Sequence, residues 1–406
     1  MKFEPETVKG FQDILPPESL KRKAAKEIIE SWFQRFGFVP IETPFIEYDE
    51  LLRGDAMEED EAVSDRFRLK DRGGRNLGLR YEFTVQLARI IKQNQELKLP
   101  FRRYQIGETF RDEPTGPGRF RQFTQCDADI IGDNSIEAEL DCLLLAKNIL
   151  KELNITAEIN LNSRKLVNSI VESVQIEQKE KVLKELDKLD KIGEDLLKLN
   201  LKKYADTNQI LTLFKLLEKP LKFFKDNAFE GAEQLQSLIK KAEEADIPVR
   251  FSPFLVRGLG YYTGVIFEIK NEAKLSIGAG GRYDQVAGKY LNREVPAVGI
   301  SFGLERITSL AKLELKKLPE VIIISLGQPE ITQTLAQKIR ENAISCLTTN
   351  EKPGKALEYA NATQIPFAIF IGDDEVKKKK YKLKNLATGN EELLSETQLI
   401  KKLKAT

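Results

Sequence analysis

Four arginines stand beside glycines or aromatic residues: Arg111 in ETFRDEP, Arg121 in GRFRQF, Arg257 in VRGLGYY and Arg306 in FGLERI. A guanidinium keeps its charge when partly desolvated and presents a planar fork of donors to phosphate or carboxylate. An exposed ion pair accounts for any one of them alone. Four in such settings suit a polyphosphate such as ATP. The glycines of GAGGRYD and AVGISFGLER let a backbone approach a ligand closely, although tight packing between strands explains them equally well. No GxxxxGKS or GxxxxGKT occurs, so the phosphate site is not a Walker loop.

A second set of residues is acidic and hydroxylic. Glu82 and Thr84 in LRYEFT are two residues apart, and on a strand they would share a face. Gln125, Asp127 and Asp129 in TQCDAD repeat that spacing. A carboxylate beside a hydroxyl suits an ammonium group, and buried carboxylates need a cationic or donor partner. With Tyr261 and Tyr262 these groups would form a pocket for a small zwitterion with a hydrogen-bonding ring. An amino acid fits that description.

The composition narrows the chemistry further. The 406 residues contain no histidine, which removes the commonest general base and the commonest metal ligand, and with them histidine-based triads and most zinc sites. Cys126, Cys142 and Cys346 are far apart and odd in number, so buried reduced thiols are expected rather than a disulfide framework. A net charge of +1 gives no overall attraction to nucleic acid, and any polyanion site must be local. Hydrophobic residues make up 41% and charged residues 31%, with no apolar run long enough to span a membrane. MKFEPETVKGFQDILPPE has no continuous apolar stretch of a signal peptide, and a cytoplasmic protein is expected.

The elements that must position these residues can be read in outline. A helix is predicted over 18–36, with Ile28, Ile29, Trp32, Phe33 and Phe36 at helical spacing and Gly37 as its stop. FVPIETPFIE reads as a strand at an edge or interface because of Pro40 and Pro44. LRYEF, RRYQIGETFR and FRQFTQCDADII read as strands of an antiparallel sheet, the last two joined by DEPTGPG. A helical pattern begins near 137, and lysine-rich helices run to about 245, an inserted helical unit in which the Leu183, Leu186, Leu189 and Ile192 stripe reads as one buried helix face. Strands return at VIFEIK, KLSIGAGGRYD and AVGISFG. After a charged connector, strand and helix alternate from VIIIS to PFAIFIG, which marks a separate C-terminal domain.

VRGLGYYTG resembles the histidine-binding signature of histidyl-tRNA synthetases, FRDEP followed by GRFRQFTQCDADI resembles their second class motif, and AVGISFGLERI resembles the third. The likeness begins at KGFQDILPPE and covers essentially the whole chain. It implies an α+β protein with a class II synthetase antiparallel-sheet catalytic domain over 1–315, an inserted helical domain at about 165–248, and a C-terminal α/β anticodon-binding domain over 320–406. It also implies ATP with Mg²⁺, histidine and tRNA(His) as ligands, and a homodimer built through the first motif near GFVPIETPFIE.

By the same resemblance Arg111 holds the α-phosphate, Glu113 and Phe123 shape the adenine site, Arg306 reaches the γ-phosphate, and Arg119 and Arg121 flank the turn that approaches ATP and the tRNA acceptor end. Arg257 sits where charge accumulates between the histidine carboxylate and the α-phosphate. Glu82, Thr84 and Gln125 orient the ammonium and carboxylate, while Asp129 and Tyr262, beside Tyr261, take the imidazole. The chain departs from the family pattern at Gly260, where aspartate is usual, at Gln86, where proline is common, and at Thr124, where histidine is frequent. Two other roles exist on the same fold, a non-catalytic regulatory paralogue of histidine biosynthesis and an RNA-sensing module. The retained arginines and the C-terminal domain stand against both.

Overall fold

The computed structural model describes residues 4–53, 65–116, 118–256, 260–291, 293–315 and 318–405. Its strands in chain order are β1 (Val39–Pro40), β2 (Ile46–Tyr48), β3 (Arg68–Lys70), β4 (Asn76–Leu79), β5 (Phe101–Phe110), β6 (Gln122–Ile131), β7 (Ala157–Ser163), β8 (Val249–Phe251), β9 (Val265–Asn271), β10 (Ser276–Arg282), β11 (Ala297–Gly303), β12 (Val321–Ser325), β13 (Cys346–Thr349), β14 (Phe367–Ile371), β15 (Tyr381–Asn385) and β16 (Glu391–Leu394). The chain separates into two compact units, Met1–Leu313 and Glu314–Thr406.

The first unit is built on an eight-stranded sheet in the order β1-β5-β6-β11-β10-β9-β7-β8. It is antiparallel except at its two ends, where β1 runs parallel to β5 and β8 parallel to β7. Proline-bearing β1 lies at the edge, where a missing backbone donor costs no ladder bond. FVPIETPFIE is therefore two short strands rather than one, since β2 leaves to join β4 and β3 in a small separate sheet. The helix Glu18–Arg35 buries Ala25, Ile29 and Phe33 at four-residue intervals. It ends where Gly37 adopts φ +78°, which lets the Phe38 amide donate to Phe33 O at 3.0 Å.

Between β7 and β8 the chain forms a run of helices from Arg164 to Glu244. Their buried leucines join the same apolar core as the sheet and the helix Ile136–Glu152. The predicted single helix through Leu183 and Ile192 is broken into Lys179–Leu186 and Leu189–Ile192, and only Leu183 and Leu186 of that stripe are buried. The second unit carries a five-stranded sheet, β13-β12-β14-β15-β16, parallel through β13, β12 and β14 and antiparallel beyond.

The LRYEF segment is not a strand. β4 ends at Leu79, and residues 80–84 turn into the helix Val85–Gln93. Tertiary contacts override the local β preference. The buried Arg80 side chain donates to Thr43 O at 2.6 Å and Glu108 O at 2.8 Å, and Glu82 Oε1 accepts from the Val85 amide at 3.1 Å, satisfying a donor at the helix start.

One buried ion pair ties the sheet to its covering helix. Arg282 Nε of β10 donates to Glu139 Oε1 at 2.7 Å, and Glu139 is fully buried in the helix Ile136–Glu152. Removing one partner of such a pair leaves an uncompensated charge and costs about 3–5 kcal/mol. Glu139→Ala is expected to lower the unfolding free energy of the first unit, measured by urea denaturation, by that amount. The exposed Glu137→Ala, which breaks only the surface pair with Lys241, should shift it far less.

Candidate functional site

The strand register brings the site together. Across β5, β6 and β11 the Cα partners form three rows: Arg103, Asp129 and Gly299; Gln105, Asp127 and Ser301; Gly107, Gln125 and Gly303. Side chains two residues apart on β6 share a face. Asp129, Asp127 and Gln125 therefore line one cavity of about 210 Å³, together with Glu82, Thr84, Arg111, Glu113, Arg119, Phe123, Tyr261, Tyr262 and Arg306. Every sequence-predicted site residue lines it except Arg121, which borders it through Arg111, and Arg257, which lies outside the described residues. The Arg121 Nε donates to Glu113 O at 3.2 Å, its Nη1 pairs with Asp112, and its backbone carbonyl accepts from the Arg111 amide.

The cavity has two halves of opposite charge. In the basic half, the Arg111 guanidinium stands 5.0 Å from the Phe123 ring centre and donates from Nε to Tyr81 O at 3.2 Å. Arg119 pairs with Glu113. Arg306, in the helix Leu304–Leu310, donates from Nη1 to Ser276 O at 2.6 Å. Burial lowers the Arg306 pKa, and the nearby charges of Arg119 and Arg111 push the same way against Glu113. Among the described residues neither Arg111 nor Arg306 is in an ion pair. Glu305, one residue before Arg306, accepts from the Thr124 amide at 2.9 Å and pairs with Arg22 at 2.9 Å, so it fixes this helix against β6.

The acidic half is more deeply buried. Glu82 Oε2 accepts from the Tyr261 hydroxyl at 3.1 Å, although Glu82 sits on a turn and not on the expected strand. Asp129 Oδ2 pairs with Arg103 Nη2 at 2.6 Å, and its Oδ1 accepts from Tyr283 OH. Burial raises the Asp129 pKa against the pull of Arg103. Burial also pushes Asp127 up to about 7, opposed by Arg103 and assisted by Asp129. Gly299 leaves room for this arrangement, since a Cβ there would stand 1.9 Å from Asp129 Oδ1. At Gly260 a Cβ would meet nothing within 4 Å, so crowding does not require the glycine there.

Arg103, Tyr283 and Ser301 were not singled out by sequence reasoning. The available signal was alternation: Arg103 lies two residues from Gln105 and four from Gly107 on the strand facing TQCDAD, and only the pairing register reveals its partner. Chemically, a basic half without enough carboxylates next to a buried acidic half accepts a polyanion beside a cationic group. Among the described residues no group of three or more acidic or thiol side chains is placed to hold a metal ion.

Comparison with known proteins gives this geometry its family. The sequence profile described as histidyl-tRNA synthetase matches residues 10–307, and that of an anticodon binding domain matches residues 320–406. Histidine--tRNA ligase 1 of Bacillus cereus is 37% identical over 413 residues, covering 96% of this chain and 95% of its own length. The crystal structure of histidyl-tRNA synthetase from Nostoc sp. superposes with a TM-score of 0.86 at 27% identity and full coverage of both chains. A structure from Bacillus halodurans described as an ATP phosphoribosyltransferase regulatory subunit/histidyl-tRNA synthetase shares the fold at 21% identity, with a TM-score of 0.74 over 88% of this chain and 97% of its own. With matching profiles over both units and close relatives along nearly its full length, the chain belongs to the histidyl-tRNA synthetase family.

Proposed function

We propose that the chain is a histidine–tRNA ligase, which activates histidine with ATP and transfers it to the 3′ end of tRNA(His). The observation that carries this reading is the single cavity whose basic half holds Arg111 and Arg306 without ion-pair partners among the described residues, adjoining a floor of buried carboxylates. A carboxylate oxygen of histidine attacks the α-phosphorus of ATP, the bond to the β-phosphate breaks, and pyrophosphate leaves. Negative charge grows on the α-phosphoryl oxygens, and preplaced guanidinium donors stabilise it without reorganising. Arg111 takes this role, with Arg119 and Arg306 toward the leaving pyrophosphate and adenine packed against Phe123 near Glu113. In the second step a terminal ribose hydroxyl attacks the activated carbonyl carbon and AMP leaves.

Mg²⁺ enters this reading as the counter-ion that ATP brings, and with Arg111 and Arg257 it would supply positive charge at the α-phosphate. Arg257 keeps the role assigned by its VRGLGYYTG signature. We further propose a cytoplasmic homodimer. Among the described residues no helix is long and apolar enough to cross a membrane. Phe45, Ile46 and Tyr48, all about half exposed, supply an apolar surface around β2 that suits a subunit interface.

ATP–pyrophosphate exchange tests the reading directly. Exchange should require histidine among the amino acids, Arg306→Ala should raise the KM for ATP roughly 10- to 100-fold, the worth of a lost charge-assisted hydrogen bond, and Arg257→Ala should lower kcat by about 100-fold or more. Histidine binding with no exchange for any amino acid would favour the regulatory or sensing role. For the assembly, sedimentation equilibrium should give a dimer that Ile46→Asp shifts toward monomer.

A further inference from the structure

The two aspartates of TQCDAD differ in what they have left to offer. Asp129 is ion-paired to Arg103 through Oδ2, which accepts no hydrogen bond among the described residues, and accepts from Tyr283 through Oδ1. Asp127 is only 4% exposed and lines the same cavity, yet its Oδ1 has no partner among the described residues. The same is true of Gln125 Oε1. These two unpartnered acceptors lie two residues apart on β6 and share one face.

Ser301 is registered opposite Asp127 on β11 and links the two residues. Gln125 Nε2 donates to Ser301 Oγ at 2.9 Å. A hydroxyl that accepts from an amide has its own proton to give, and Ser301 acts on Asp127 to favour its ionised form against burial. The amide of Gln125 thus donates to a hydroxyl that is registered opposite the Asp127 carboxylate. Both residues line the cavity, and each keeps one buried acceptor oxygen without a hydrogen-bond partner among the described residues. An ammonium group has three donors and no acceptor, whereas a neutral imidazole presents one of each and a carboxylate only acceptors.

We propose that Asp127 is a specificity-determining residue whose carboxylate, with the Gln125 amide oxygen, seats the ammonium group of the amino acid, and that Ser301 is the residue that positions both. The assignment rests on the cavity being an amino-acid-activating site. It adds a second carboxylate to Glu82 at the ammonium and leaves Asp129 to the ring.

The charges around Asp127 give the seat a pH signature. Facing it are Arg103 on β5, Asp129 on β6, Glu82 in the turn before the helix Val85–Gln93, and the Ser301 hydroxyl on β11, with the Tyr261 and Tyr283 hydroxyls held by Glu82 and Asp129. Burial keeps Asp127 at about 7. A bound ammonium favours the ionised form, so binding must expel a proton below that pH and need not above it.

Asp127→Asn, nearly isosteric, separates the possibilities when calorimetric binding is measured for histidine, for histidinol, which keeps the ammonium but lacks the carboxylate, and for 3-(imidazol-4-yl)propionate, which lacks the ammonium. The variant should bind histidine and histidinol roughly tenfold more weakly or worse, as expected for a lost charge-assisted hydrogen bond, with imidazolylpropionate within about twofold of wild type. Relative to the variant, wild type should also gain affinity for histidine between pH 6 and 8. Equal losses on all three ligands, or parallel pH profiles, would overturn the assignment. Ser301→Ala should raise the KM for histidine more than it lowers kcat, with recovery in Ser301→Thr; an alanine variant that matches wild type would remove the positioning role. A wild-type chain that binds none of the three ligands overturns the activating reading itself, a result distinct from a misassigned Asp127.

Discussion

The acidic half of the cleft depends on one buried guanidinium. Arg103 is fully buried, pairs with Asp129 across the β5–β6 ladder, and is the cation that opposes Asp127 and Asp129 in an interior where unpaired carboxylates are costly. Breaking such a pair by removing one side costs about 3–5 kcal/mol. Replacing the whole cluster by apolar side chains would cost little in stability. The sheet tolerates the charge because the pairing register aligns donor with acceptor.

From that pair the rest of the cavity follows in order. Asp129, fixed by Arg103, receives the Tyr283 hydroxyl, and Gly299 leaves space for both. Tyr283, whose amide donates to Ala297 O at 2.8 Å, follows Arg282, whose guanidinium reaches Glu139 on the covering helix and Asp284. The basic half is assembled differently. Arg111 and Arg119 stand on the connection between β5 and β6, and Arg306 on the helix that follows β11, with Glu305 pinning that helix to β6. One strand, β6, thus carries the acidic half of the cavity and anchors the basic half.

Alternation made the β6 face legible in the sequence, because Gln125, Asp127 and Asp129 occur at a period that only a strand uses. The arginines at Arg111 and Arg306 were legible because a guanidinium among glycines and aromatics has few other uses. The turn at Glu82 was not. Its residues have strand preferences, and the decision came from Arg80 reaching Thr43 and Glu108, contacts distant in sequence. Arg103 was hidden for a related reason: nothing local separates it from Arg102, which lies one position away on the opposite face and pairs with Asp141 at 2.7 Å. The break between Leu186 and Leu189 was likewise invisible in a periodicity that continues through it.

The three cross-strand rows have a consequence for how such a pocket can change. Because the cavity-lining groups of β6 occupy every second position, the intervening residues, Cys126, Ala128 and Ile130, belong wholly to the apolar core on the other side. Selectivity and folding are thus written in alternate letters of one strand. Variation in what the enzyme accepts can proceed at the odd-numbered positions while the even-numbered ones stay untouched, whereas a single inserted residue would exchange the two alphabets and destroy both at once.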